Sequence, residues 1–239
     1  MARTRGISKF LRATQDPALP PTQVIPPPEP GGVIPWDEIF DPARPVEIDV
    51  GCGKGRFLLA RARKFPQTQF VGIERERARV ARIDVVARRE GLTNVRLLMA
   101  DAMDALNELL PAGRVSAAYF FFPDPWPKRR HRCRRLFSPP FIDALCRVFV
   151  PGARLNVSTD QPDYFVQMRQ CMEQDSRFSE IEAFHRTPDE KTDFELIFLR
   201  QDAVIGDASY RLDPDYRYTP PPPRPKFGWK ARTKGDHEQ

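Results

Sequence analysis

Five acidic residues stand at or just beyond the ends of apolar runs. They are Asp49 in VEIDVGCGKG, Glu74 after QFVGI, Asp101 after VRLLMA, Asp124 after VSAAYFFFP and Asp160 after ARLNVST. A carboxylate can accept hydrogen bonds, pair with a cation or stabilise a developing positive charge. Any one of them alone is an ordinary turn or helix-cap residue. Five in series gather on one rim if the runs are strands of a single parallel sheet. Asp124 is the most constrained of the five, because it lies between two prolines in FFPDPWPKRRHRCRR. Proline fixes its own φ and biases the preceding residue toward extended backbone. The loop is therefore stiff, and positioning its carboxylate costs little entropy. Trp126 offers either a flat apolar face to a ligand or an anchor for the loop.

The elements that must position these acids alternate along the chain. VEIDV (46–50), QFVGI (69–73), VRLLMA (95–100), VSAAYFFF (115–122) and ARLNVS (153–158) have strand character. Between and after them, 56–65, 75–90, 104–110, 139–150 and about 162–174 have helical character, with Pro66 and Gly91 as stop signals. On the second helix Ala78, Ala81 and Val85 are expected to form the apolar face. Alternating strand and helix predicts an α/β fold with a doubly wound, mostly parallel sheet and helices on both faces. Ligands of such sheets bind at the carboxyl ends of the strands.

The loop Asp49-Val-Gly51-Cys-Gly53-Lys-Gly55 lets backbone approach a ligand closely. Its glycines miss the third position of the dinucleotide fingerprint, which falls on Arg56, and no phosphate-cradling G-x-x-x-x-G-K-[ST] loop is present. An acid at Asp49 suits a ligand carrying an ammonium and a sulfonium, which points to S-adenosylmethionine. Glu74 is then placed for the ribose hydroxyls, and Asp101-Ala102 for the adenine and its exocyclic amine.

Composition limits the alternatives. With 41% apolar residues among 239, a sizeable core can form, whereas the 26 prolines concentrate in residues 17–45 and 214–225. The expected division is a Pro-rich, basic flank at 1–45, a catalytic domain at 46–212 and a Pro-rich basic tail at 213–239. A net charge of +6, clustered at 128–135 and near both ends (Arg3, Arg5, Lys9, Arg12; Arg224, Lys226, Lys230, Arg232, Lys234), favours an anionic partner. Four cysteines without a CxxC pair and three scattered histidines give no metal-ligand spacing, so no metal is expected. No apolar run approaches the roughly 18 residues of a membrane span, and the N-terminus lacks a signal-peptide core. These features predict a soluble cytoplasmic protein without a membrane partner.

Phe122-Pro-Asp-Pro-Trp-Pro-Lys128 followed by an arginine-rich run resembles the signature of the tRNA (guanine-N7-)-methyltransferase family. The resemblance spans about 33 to 212, including EIDVGCGKGRFL and NVSTDQPDYF. It implies a seven-stranded, Rossmann-like class I methyltransferase using S-adenosylmethionine, with tRNA as partner and no obligatory protein subunit. By the same resemblance the product is 7-methylguanosine at position 46 of the variable loop. Cofactor contacts then fall on Asp49, Gly51, Gly53, Gly55, Glu74, Asp101, Ala102 and Asp124, with Asp124 also catalytic. Substrate contacts fall on Lys128, Asp160, Thr192, Asp193, Phe194 and Glu195, and RNA contacts on Arg130, Arg132, Arg134 and Arg135. Asp49 departs from the family's usual Glu, and the tail beyond 213 has no counterpart.

Guanine N7 is an unprotonated lone pair, so its methylation needs no base, and a carboxylate such as Asp124 can stabilise the cationic product or orient the base. Glu195 or Asp160 can accept from the N1–H and N2–H₂ donors of guanine. Phe194 either stacks on the base or belongs to the core. Reaching N7 in line requires the base to leave its stack. Two other readings share the fold: an exocyclic-amine methyltransferase, whose loop matches less well, and a catalytically silent RNA-binding subunit.

Overall fold

The computed structural model describes residues 18–26, 28 and 34–220. The basic residues near both ends that were singled out above lie outside these. The strands are β1 (Val46–Val50), β2 (Gln69–Ile73), β3 (Val95–Leu98), β4 (Val115–Phe121), β5 (Phe149–Thr159), β6 (Phe178–Ile181) and β7 (Gly206–Leu212). Their order is β3-β2-β1-β4-β5-β7-β6. Strands β1 to β5 are mutually parallel, and β7 pairs antiparallel with both β5 and β6. The expected doubly wound α/β sheet is therefore present. β1 and β4 lie at its centre, and β2 and β4 are buried at nearly every position, as strands covered on both faces must be.

The helices are α1 (Trp36–Ile39), α2 (Arg56–Lys64), α3 (Arg77–Arg89), α4 (Ala102–Asp104), α5 (Pro139–Val148), α6 (Pro162–Glu173) and α7 (Asp193–Leu199). Prolines open α5 and α6, where a missing N–H costs no helical bond. Residues 104–110 differ from a plain helix, because α4 passes directly into a π-helix over Ala105–Leu109. Arg147 on α5 donates to the carbonyls of Leu106 and Leu110 at 2.8 and 2.7 Å, satisfying acceptors at the end of that wide turn.

Helix α3 buries a different face from the one expected. Val80, Ile83, Asp84, Ala87 and Arg88 are buried, while Ala78 is exposed and Ala81 and Val85 are half-buried. The stripe is displaced because two charged residues, Asp84 and Arg88, pair at 3.3 Å inside it. Asp84 also accepts from Thr22 and from the Gln23 backbone N–H, and Arg88 donates to the Pro20 carbonyl. The segment they hold runs beside β3, where Val24 bridges Leu97. Val24 and Ile25 are thereby buried, and Ile34, Trp36 and Phe40 join the main core.

Candidate active site

The glycine loop between β1 and α2 turns through three left-handed residues, Gly51 (φ 75°), Gly53 (φ 58°) and Gly55 (φ 77°). Only glycine visits this region without strain. Gly55 is required twice over, because a Cβ there would meet the Ile83 side chain at 2.7 Å. At Gly51, by contrast, nothing lies within 4 Å of the Cβ direction, so the backbone faces open space on the ligand side.

Glu74, immediately after β2, braces this loop. Its carboxylate accepts from the Gly53 N–H at 3.1 Å and the Glu76 N–H at 2.8 Å, with Arg79 at 3.4 Å. It is 6% exposed and still lines the cavity at the carboxyl ends of the strands. Asp49, within β1, lines a smaller pocket next to that cavity. Burial, reinforced by the nearby Glu74 charge, raises its pKa to about 8. Asp101 caps α4 through the Met103 N–H at 2.9 Å, with Ala102 beside it on the cavity wall.

The cavity encloses about 650 Å³, within the usual range for a small-molecule site. Gly51, Glu74, Asp101, Ala102, Asp124 and Asp160 all line it, so acids from beyond four strands converge on one space. A smaller pocket lined by Asp49, Gly53, Lys54, Thr192 and Asp193 adjoins it, sharing Gly51, Arg79, Phe121 and Phe194. The residues present fit S-adenosylmethionine: an open glycine backbone, a buried acid at Asp49 suited to its cationic groups, and acceptors at Glu74 and Asp101.

The Asp124 loop enters from the far side. Phe122 and Trp126 hold φ of 57° and 41°, both left-handed and unusual for side-chain-bearing residues. The Phe122 N–H donates to the Ser158 carbonyl at 2.8 Å, tying the loop to β5. Asp124 remains 67% exposed in its side chain and lies 3.6 Å from Arg75. Trp126 also lines the cavity, with the Arg134 guanidinium 4.9 Å from its ring centroid.

Beyond the loop, Arg129–Arg134 form a 3-10 helix. Lys128, Arg130, Arg132 and Arg134 are exposed; Arg134 lines the cavity, and Arg132 pairs with Asp163 at 2.8 Å. Arg135 is placed differently from its neighbours. Its side chain is 1% exposed and donates to the Pro125 carbonyl, Gln167 and Asp163, so it is turned into the protein rather than toward solvent.

Glu195 is likewise turned away from the cavity. It is buried, accepting from Arg186 at 2.6 Å and Lys191 at 2.8 Å. Asp160 is the acid that lines the cavity on that side, next to Gln161. Thr192 caps α7 through the Glu195 N–H at 3.0 Å. Phe194 is 49% exposed and lines both spaces, so it is not a core residue. Sequence reasoning missed Arg75, Arg79 and Phe198 on the cavity wall and Arg186 behind it. Arg75 and Arg79 directly follow the Glu74 strand end, which was the available signal.

Among the described residues no helix is long and apolar enough to cross a membrane, and no group of three or more His, Cys, Asp or Glu could hold a metal ion.

Residues 43–201 match the family model described as "Putative methyltransferase". A tRNA (guanine-N(7)-)-methyltransferase of Halorhodospira halophila is 37% identical over 189 residues, covering 77% of this chain and 82% of that protein. Relatives of the same name from Methylococcus capsulatus and Nitrosococcus oceani are 35% and 34% identical, covering 79% and 72% of their own lengths. The chain belongs to the tRNA (guanine-N(7)-)-methyltransferase family. Among solved structures, the 16S rRNA methyltransferase KamB superposes with a TM-score of 0.55 at 17% identity, covering 74% of this chain and 92% of that one. That likeness shows the fold. Within the family fold, the proline-flanked loop, the glycine loop and the basic 3-10 segment all meet at one cavity.

Proposed function

We propose that this enzyme transfers the methyl group of S-adenosylmethionine to N7 of a guanine in tRNA, at position 46 of the variable loop. The observation that carries the reading is the position of Asp124. It stands on a stiff loop at the mouth of a cavity lined by Glu74 and Asp101, directly before an exposed basic segment.

When bound, the cofactor would supply an electrophilic methyl on a sulfonium, and its transfer to the N7 lone pair would leave a neutral thioether and a cationic purine. The protein's residues prepare both partners. Asp49 would hold the cationic end of the cofactor, Glu74 the ribose and Asp101 the adenine. No proton has to be removed from N7, so Asp124 acts by charge and position: its carboxylate stabilises positive charge as it develops on the purine. Asp160 accepts from the Watson–Crick edge of guanine, an edge that adenine cannot match. Phe194 stacks on the extruded base. Lys128, Arg130, Arg132 and Arg134 hold phosphates and set register. The soluble, cytoplasmic setting of tRNA maturation fits these contacts.

Nucleoside mass analysis of unmodified tRNA after incubation with the protein and S-adenosylmethionine tests the reading, with Asp124→Ala alongside. 7-Methylguanosine formed by the wild-type protein and not by the variant is the expected result. A different methylated nucleoside would refute the guanine pocket, and tRNA binding without any methylation would point to a silent subunit.

A further inference from the structure

The loop that carries Asp124 has an unusual holding problem. Pro123, Pro125 and Pro127 remove three backbone donors from it. Phe122 and Trp126 sit at left-handed φ values, which are strained for such residues and persist only where surroundings enforce them. The loop must therefore be fixed through its carbonyls and side chains.

Arg135 is built to do this. Its Nε donates to the Pro125 carbonyl at 2.8 Å, one residue beyond Asp124. Its Nη1 donates to Gln167 Oε1 at 3.0 Å, and its Nη2 to Asp163 Oδ2 at 2.7 Å. The guanidinium carbon lies 4.6 Å from the Tyr164 ring centroid. Tyr164 in turn accepts from the Leu136 N–H at 3.1 Å, and Gln167 donates to the Phe137 carbonyl at 3.2 Å. All the side-chain partners of Arg135 lie on the first turns of α6, so one planar fork fastens the loop to a rigid helix.

We infer that Arg135 is a positioning residue for methyl transfer, which fixes the Asp124 loop against α6 through the Pro125 carbonyl. This rests on the reading of Asp124 as the group facing the reacting guanine. It separates Arg135 from the exposed arginines before it. Those meet phosphates, whereas Arg135 acts through Asp124 and touches neither substrate nor cofactor. Lysine keeps the charge beside Asp163 but cannot reproduce three divergent in-plane donors.

The test compares Arg135→Lys with the wild-type protein in three measurements: kcat at saturating tRNA and S-adenosylmethionine, tRNA affinity as a function of salt, and amide hydrogen exchange over 121–127. The expected result is a fall in kcat of about 10- to 100-fold, the scale of a misplaced catalytic group. tRNA affinity and its salt slope should stay at wild-type values, while exchange at Phe122, whose N–H donates to the Ser158 carbonyl, quickens. Wild-type kcat with weaker, less salt-dependent tRNA binding would overturn the inference and make Arg135 an RNA contact. Unchanged exchange over 121–127 would overturn it too. If the wild-type protein forms no 7-methylguanosine, the functional reading fails by itself, and hydrogen exchange still decides whether Arg135 holds the loop.

Discussion

The carboxylate of Asp124 lies 3.6 Å from the guanidinium of Arg75, across the cavity between the segments that follow β4 and β2. Both side chains are about 70% exposed (67% and 71%), and a pair in that setting contributes only about 0–1 kcal/mol. In the proposed reaction Asp124 can thus exchange Arg75 for a cationic purine. Asp124→Ala should lower turnover by orders of magnitude while leaving tRNA affinity and melting temperature nearly unchanged. Single-turnover kinetics beside filter binding would check this, and lost binding with normal turnover at saturation would contradict the role of Asp124.

Asp49 should make cofactor affinity depend on pH. In the free site its pKa is raised to about 8 by burial and by Glu74, with Arg79 and Cys52 also nearby. The protonated form is thus favoured in the folded state: this group's contribution to stability is full below its unfolded value, declines as pH rises, and is gone above about 8. A bound ammonium or sulfonium favours the carboxylate instead. Cofactor binding should therefore release a proton, and affinity should rise with pH up to about 8, by at most about tenfold per unit. Calorimetry in buffers of different ionisation enthalpy measures the released proton. Asp49→Asn should flatten the profile.

Arg186 and Glu195 form a buried pair, each side chain 4% exposed. Arg186 also donates to Ser158 at 2.8 Å, pairs with Asp207 at 2.8 Å and lies over the Phe121 ring. Removing one member of such a pair typically costs about 3–5 kcal/mol. Arg186→Ala should therefore lower the melting temperature by roughly 10 °C and loosen α7 with its Phe194. Asp160→Ala, on the open cavity wall, should spare the melting temperature and instead weaken selection of guanine. Thermal melts and kcat/KM on tRNAs with altered target bases would separate the two.

Lys128 and Arg130 stand exposed in the basic segment that follows the cavity-lining Trp126. Replacing both with alanine should weaken tRNA binding without regard to sequence. The log–log salt slope should fall by roughly 1.4–1.8, the release of two neutralised phosphates. A titration series across salt concentrations reads this directly, and an unchanged slope would remove these residues from the RNA contact.

The local order of this protein was set by patterns that any stretch carries within itself. Alternating apolar runs and helical stretches gave the doubly wound sheet, and Gly51, Gly53 and Gly55 marked a backbone that must turn left-handed. The prolines around Asp124 announced a stiff loop, and acids beyond successive parallel strands had to meet on one rim. Each of these follows from backbone sterics and from the geometry of parallel strands. Only the tertiary structure decided which charges face water. Arg135 and Arg134 are neighbours of one type, yet the first is sealed against α6 and the second is open beside Trp126. Glu195 found Arg186 and Lys191, and so left the cavity wall to Asp160. The buried face of α3 followed Asp84 and Arg88, because residues 20–24 supply their partners from far along the chain. Burial of a charge depends on a partner brought close by folding, and the spacing of residues along the chain does not record that partner.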